Sequence, residues 1–170
     1  MRVLIAYATE HGSTREIAER IGRVVSERGI DADVRSADSA GASKEYDAFV
    51  IGSAVHDQRW LVWAMDLVDR YAADLKGHRV WLFSVGMPAA LRWPLKRFAY
   101  MEEPRLRAQF EHRLEPVAHR LFSGVIAAQH LPRTGRLAFR AIGGRYGDYR
   151  DWFAIEGWAA SIADALTPGR

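Results

Sequence analysis

Apolar and polar positions run along this chain in two periods, and the switches between them divide it into elements. Residues 2–7 (RVLIAY) are a short, nearly continuous apolar run, the pattern of a strand covered on both faces. Residues 14–28 set Ile17, Ala18, Ile21, Val24 and Val25 at helical spacing with charges between them, and Gly29 follows as a stop. Residues 31–36 alternate weakly, as an edge strand does. A polar connection over 37–44 leads to a second buried strand at 46–52 (YDAFVIG), a helix with a wide apolar face at 60–73, and a third strong strand at 78–84 (HRVWLFS).

The second half is less regular. Residues 102–121 are rich in Glu and Arg and read as helical by composition, with Pro104 and Pro116 near the ends. Residues 123–129 (SGVIAAQ) read as the last buried strand, and 130–150 as a long Arg- and Gly-rich connection. A final amphipathic helix over 151–166 carries Trp152, Ile155, Trp158, Ala159, Ile162 and Leu166, with Pro168-Gly169 beyond it. Strands alternating with helices at this spacing predict an α/β fold, a three-layer, doubly wound, five-stranded parallel sheet. Right-handed crossovers leave few topologies, and 2-1-3-4-5 is the order expected. No repeat or linker divides the chain, so residues 1–170 read as a single domain.

Composition narrows the chemistry. The 170 residues include no cysteine, which excludes disulfides, thiolate ligands and cysteine nucleophiles. Apolar runs are far shorter than a bilayer span, and Arg2 leads straight into the first strand, so a cytoplasmic protein without a secretory signal is expected. The net charge of +3 and pI near 9.4 favour anionic partners, or else reflect an Arg-rich proteome. The six histidines show no paired spacing on one helix, so no metal site is expected. Glu102-Glu103 reads as a solvated helix start, and nucleic-acid binding lacks a module to support it.

The first strand-to-helix turn is richer than a connection needs. Thr9, Glu10, His11, Gly12, Ser13 and Thr14 place hydroxyls and a glycine at the start of a helix, where open N–H groups and the helix dipole suit a phosphate. Neither a Walker pattern nor a dinucleotide G-x-G-x-x-G is present. An ordinary cap by Ser13 or Thr14, with Glu16 completing a capping box on Ser13, accounts for two of these residues but not for Thr9 or Gly12.

The T-x-x-G-x-T run resembles the FMN phosphate loop of flavodoxins. The longer ATEHGSTREIAERI, with YDAFVIGSAV and GDYRDWFAIEGWAASIA, is similar to the flavodoxin-like, menaquinone-dependent protoporphyrinogen oxidases of bacteria. The resemblance implies a flavodoxin-like fold, FMN as cofactor, and a protoporphyrinogen-oxidase-like or quinone-reductase-like function; a flavodoxin-type electron carrier is the alternative.

The resemblance also places the flavin ring between two loops. It assigns contacts to Ser53, Ala54, Val55 and His56 on one side and to Ser84, Val85 and Gly86 on the other. Trp60 is the candidate stacking surface, with core packing as its other reading; Trp93 is a poorer candidate and Trp63 is expected in the core. His56 is either a solvated loop residue or a proton donor to the flavin or substrate. The family's Arg-Tyr-Gly-His-like string is replaced by Val55-His56-Asp57-Gln58. Without its glycine the loop resists a peptide flip that needs φ > 0, so two-electron transfer is expected.

Arg133, Arg136 and Arg140 interleave with Leu137, Phe139, Ala141 and Ile142 in the 130–150 connection. This stretch reads as a basic amphipathic surface for an anionic substrate or membrane headgroups, or as a loop that folds back through Phe139 and Ile142. Arg92, Lys96 and Arg97 would add to the same rim. The implied partners are an anionic or quinone-like small molecule, a redox protein, the inner membrane face touched peripherally through residues 130–150, or a second copy in a homodimer; nucleic acid is not among them.

Overall fold

A computed structural model describes residues 1–41, 45–91, 103–110 and 112–167. The expectations for Trp93, Arg92, Lys96, Arg97, Glu102 and Pro168-Gly169 lie outside these residues. The apolar runs become strands β1 (Arg2–Ala8), β2 (Asp31–Ser36), β3 (Ala48–His56), β5 (Arg79–Gly86) and β6 (Ala118–Ser123). They pair in parallel in the order β2-β1-β3-β5-β6. A two-residue strand, β4 (Arg59–Trp60), folds back antiparallel on the end of β3. With that hairpin arm set aside, the sheet has the expected flavodoxin-like order.

Helices cover both faces. Helix α1 (Ser13–Glu27) and the last helix, α6 (Trp152–Leu166), lie on one side, where Ile17, Ile21 and Val25 meet Val3, Ile5, Phe83, Trp158 and Ile162. On the other, α2 (Val62–Arg70), the single turn α3 (Ala72–Leu75) and α4 (Glu103–Ala108) cover Leu4, Phe49, Ile51 and Leu82. Side chains alternate faces along each strand, so β1 sends Val3 and Ile5 one way and Leu4 and Ala6 the other. No helix among the described residues is long and apolar enough to cross a membrane.

The sheet's last strand lies earlier than its composition suggests. Among the described residues, the stretch read as one helix over 102–121 holds α4 and then begins β6 at Ala118. Residues 119 and 121–123 are buried and Arg120 alone among the six is exposed, at the edge of the sheet. The expected strand at 123–129 contributes the two-residue β7 (Val125–Ile126) and a 3₁₀ turn, Ala128–His130.

Residues 130–150 are not a loop. They form α5 (Arg133–Ala141), and β8 (Gly147–Asp148) returns to pair antiparallel with β7. Phe139 seats the helix against Ala90 and Ile126. Ile142, expected to fold back with it, stays 49% exposed.

Candidate functional site

The carboxyl ends of β1, β3, β5 and β6 open onto a cleft of about 220 Å³. Thr9, Glu10, His11 and Ser13 form one wall; Ala54, Val55, His56 and Asp57 form another. Val85, Gly86 and Met87 make the floor between them, and Gly124, Val125, Ile126, His130 and Leu131 close the far side.

The turn from β1 into α1 is built around Gly12, whose φ of 91° lies in the left-handed region that glycine adopts without penalty. Its N–H donates to Thr9 Oγ1 at 2.9 Å. The first helical bond runs from Glu16 N–H to Gly12 C=O, so the amides of Ser13, Thr14 and Arg15 open the helix without helical acceptors. No side chain caps α1. The capping box expected on Ser13 is not formed, because the N-cap is Gly12, which has no side chain and leaves Ser13 as the first helical residue; Glu16 pairs with Arg150 at 2.5 Å. Thr14 is fully buried, and its hydroxyl has no hydrogen-bond partner among the described residues.

Two histidine contacts bridge the mouth of the cleft. His56 Nε2 lies 2.9 Å from Glu10 Oε2. The rings of His11 and His130 stack with centroids 3.9 Å apart and planes 8° from parallel. Partial burial, with His11 beside it, holds His130 below the usual imidazole range. Asp57 and Gln58, at the tip of the β3–β4 hairpin, have φ of 48° and 61°, the signature of a two-residue type I′ turn. The loop expected to resist positive φ already adopts it twice, because a two-residue hairpin of this twist demands it.

Several sequence-expected residues turn away from the cleft. Trp60 is 4% exposed, packs edge-on against Phe110 at 4.5 Å and donates its indole N–H to Ser84 Oγ at 2.7 Å. That burial removes it from a ring-stacking role, while Trp63, expected in the core, is 39% exposed. Ser53 and Ser84 are also fully buried. Ser53 Oγ accepts from Leu61 N–H at 3.0 Å, anchoring the hairpin's return into α2. Gly12 and Thr14 belong to the turn from β1 into α1 without lining the cleft itself.

The wall formed by residues 124–131 was missed. Its one local signal is Gly124, a lone glycine where the strand pattern continues. A Cβ there would stand 2.8 Å from Val85 Cγ1 and 3.0 Å from Ser13 Oγ, so glycine lets this strand end approach the β1–α1 turn closely.

Residues 4–151 match the flavodoxin domain family. The chain belongs to that family. Among solved structures, this flavodoxin domain is similar to a flavodoxin from the domain Archaea, at 16% identity and TM-score 0.61, over 98% of this chain and 99% of that one. Oxidised flavodoxin 1 from Bacillus cereus matches at 16% identity and TM-score 0.64, over 98% and 100% of the two chains. Rubredoxin oxygen:oxidoreductase from Desulfovibrio gigas matches at 14% and 0.59, with 97% of this chain on 36% of that one. At these identities the likeness is one of fold. No curated protein matches the chain.

FMN is the cofactor of this domain, and the turn fits its phosphate. A buried hydroxyl with no partner, three open amides and a left-handed glycine together lack only an acceptor-rich anion.

Proposed function

We propose that this flavodoxin domain is an FMN-dependent oxidoreductase, protoporphyrinogen-oxidase-like or quinone-reductase-like, acting on an anionic or quinone-like organic molecule. The supporting observation is α5. It starts just past His130 in the cleft wall and exposes Arg133, Arg136 and Arg140 around Leu137, itself 75% exposed. The cleft rim thereby runs into a surface both cationic and apolar, suited to such a molecule and to peripheral contact with anionic headgroups.

When bound, FMN supplies electron transfer at its ring. The chain does the rest. The first-turn amides of α1, with the hydroxyls of Ser13 and Thr14, hold the phosphate. Val55, Val85 and Ile126 exclude water from the cleft. His56, beside Glu10 at the mouth, is placed to hold a proton at Nε2.

An electron carrier without its own small-molecule substrate is the second reading, favoured because flavodoxins match over nearly their whole length. The test pairs the oxidised, FMN-loaded protein with protoporphyrinogen and the dithionite-reduced protein with menadione. Turnover of either supports the oxidoreductase. Exchange only with a redox protein, slowed by salt, favours the carrier and overturns it.

A further inference from the structure

Beneath the cleft, three buried side chains from three strands are joined end to end. Trp60 Nε1–H donates to Ser84 Oγ at 2.7 Å, and Ser84 Oγ lies 2.9 Å from His119 Nε2. None of them lines the cleft, yet each stands at the root of one of its walls. Trp60 is in register with Val55 across the β3–β4 hairpin. Ser84 immediately precedes Val85 and Gly86. His119 lies on β6, whose continuation is Gly124–Ile126.

The donors and acceptors along this chain set its direction. An indole N–H can only donate, so Ser84 Oγ accepts from Trp60 and its single proton is free for His119. Were the ring proton on Nε2, Ser84 would accept twice and its own O–H would be buried without an acceptor. The Nδ1 lone pair would then face the Glu103 carboxylate, 3.9 Å away. With the proton on Nδ1 both conflicts vanish, and the Nδ1–H faces the Glu103 carboxylate at 3.9 Å, too far for a hydrogen bond and without another partner among the described residues. The Ser–His–Glu order imitates a hydrolase triad, but Ser84 is fully buried and its oxygen is engaged by Trp60, so it is no nucleophile.

We propose that Trp60, Ser84 and His119 form a positioning relay that holds three walls of the cofactor cleft in register, with His119 as the neutral Nδ1–H tautomer. The role rests on FMN occupying that cleft. The charged groups facing His119 from the neighbouring helix are Glu103 and Arg107 of α4; Arg120, beside it on β6, is exposed. Protonating His119 turns Nε2 from acceptor to donor, so Ser84 accepts from both sides and its own O–H loses its acceptor.

Two measurements test this. Long-range ¹H–¹⁵N NMR on the FMN-free protein reads the tautomer without reference to the cofactor. One histidine should carry its proton on Nδ1, stay neutral well below pH 6, and vanish from the spectrum of His119→Gln. FMN titrations by flavin fluorescence, from pH 5 to 8, then compare wild type with Ser84→Ala, His119→Leu and His119→Gln, each checked for folding by circular dichroism. Ser84→Ala and His119→Leu should weaken FMN by roughly tenfold. His119→Gln, whose amide oxygen still accepts from Ser84, should stay near wild type. From pH 8 down to 5, where His119 is still neutral, wild type and His119→Gln should share one profile, with only the step near pH 6 that the phosphate's own ionisation gives every variant. An Nε2–H tautomer, or equal affinities in all four proteins, overturns the relay. A wild-type chain that takes no FMN overturns the cofactor reading and the relay's role with it, and the tautomer result tells the two failures apart.

Discussion

Glu10 and His56 meet across the mouth of the cleft, one from the phosphate turn and one from the β3–β4 hairpin, at 2.9 Å. Both side chains are about half exposed, so solvent screens the pair and its contribution to stability is under about 1 kcal/mol. The larger effect of Glu10 is on charge, because its carboxylate stands in the wall proposed to receive a phosphate dianion. Glu10→Gln should leave the melting temperature nearly unchanged. It should tighten FMN binding by roughly two- to fivefold at low salt and less at high salt. Fluorescence titrations at two ionic strengths decide; weaker binding would show that Glu10 assists the cofactor.

Thr14 separates the stability of the empty protein from its affinity. A buried hydroxyl without a partner costs about 1–3 kcal/mol, and valine fills the same space without it. Thr14→Val should therefore stabilise the FMN-free protein, seen as a higher urea midpoint. It should also weaken FMN by roughly tenfold to a hundredfold, the loss of one charge-assisted hydrogen bond. Both quantities moving the same way would place the phosphate elsewhere.

Backbone conformation gives a matched pair of opposite sign. Gln58 sits at φ 61° in the hairpin turn, where glycine is preferred, so Gln58→Gly should stabilise by about 1 kcal/mol. Gly12 has φ 91° and nothing within 4 Å of where a Cβ would stand. Gly12→Ala should cost about 1–2 kcal/mol through backbone strain alone. Urea denaturation of the two variants measures both.

Stability should depend on pH through His119. Burial pushes its imidazole down from 6.5 to about 4. Above pH 6.5 it is neutral folded or unfolded and contributes no slope. Between about 6.5 and 4 the unfolded chain binds the proton and the folded one does not, so stability falls as pH falls, by up to about 1.4 kcal/mol per pH unit. Below 4 both forms are protonated and the slope ends. Urea midpoints of wild type and His119→Gln over this range should diverge, wild type being the steeper.

Most of the sheet was legible because strands buried on both faces leave apolar runs that nothing polar interrupts. Strand β6 was not, since at a sheet edge Arg120 could face solvent and break the run. The left-handed turn at Gly12 was legible because hydroxyls and a glycine stand there before a helical rhythm. The far wall of the cleft was hidden in a stretch that reads as strand and loop, with Gly124 as its single mark.

Local pattern alone determined the α/β architecture and the alternation of strand and helix through the first half of the chain, because periodicity acts over a few residues. Tertiary structure decided which way each side chain at the strand ends faces. Trp60, Ser53 and Ser84 turn inward because partners from other elements meet their polar atoms there. His130 lies flat on His11 because the β7–β8 ribbon and α5 fold back over the sheet edge. Such pairings join residues far apart in the chain, and no spacing along it records them.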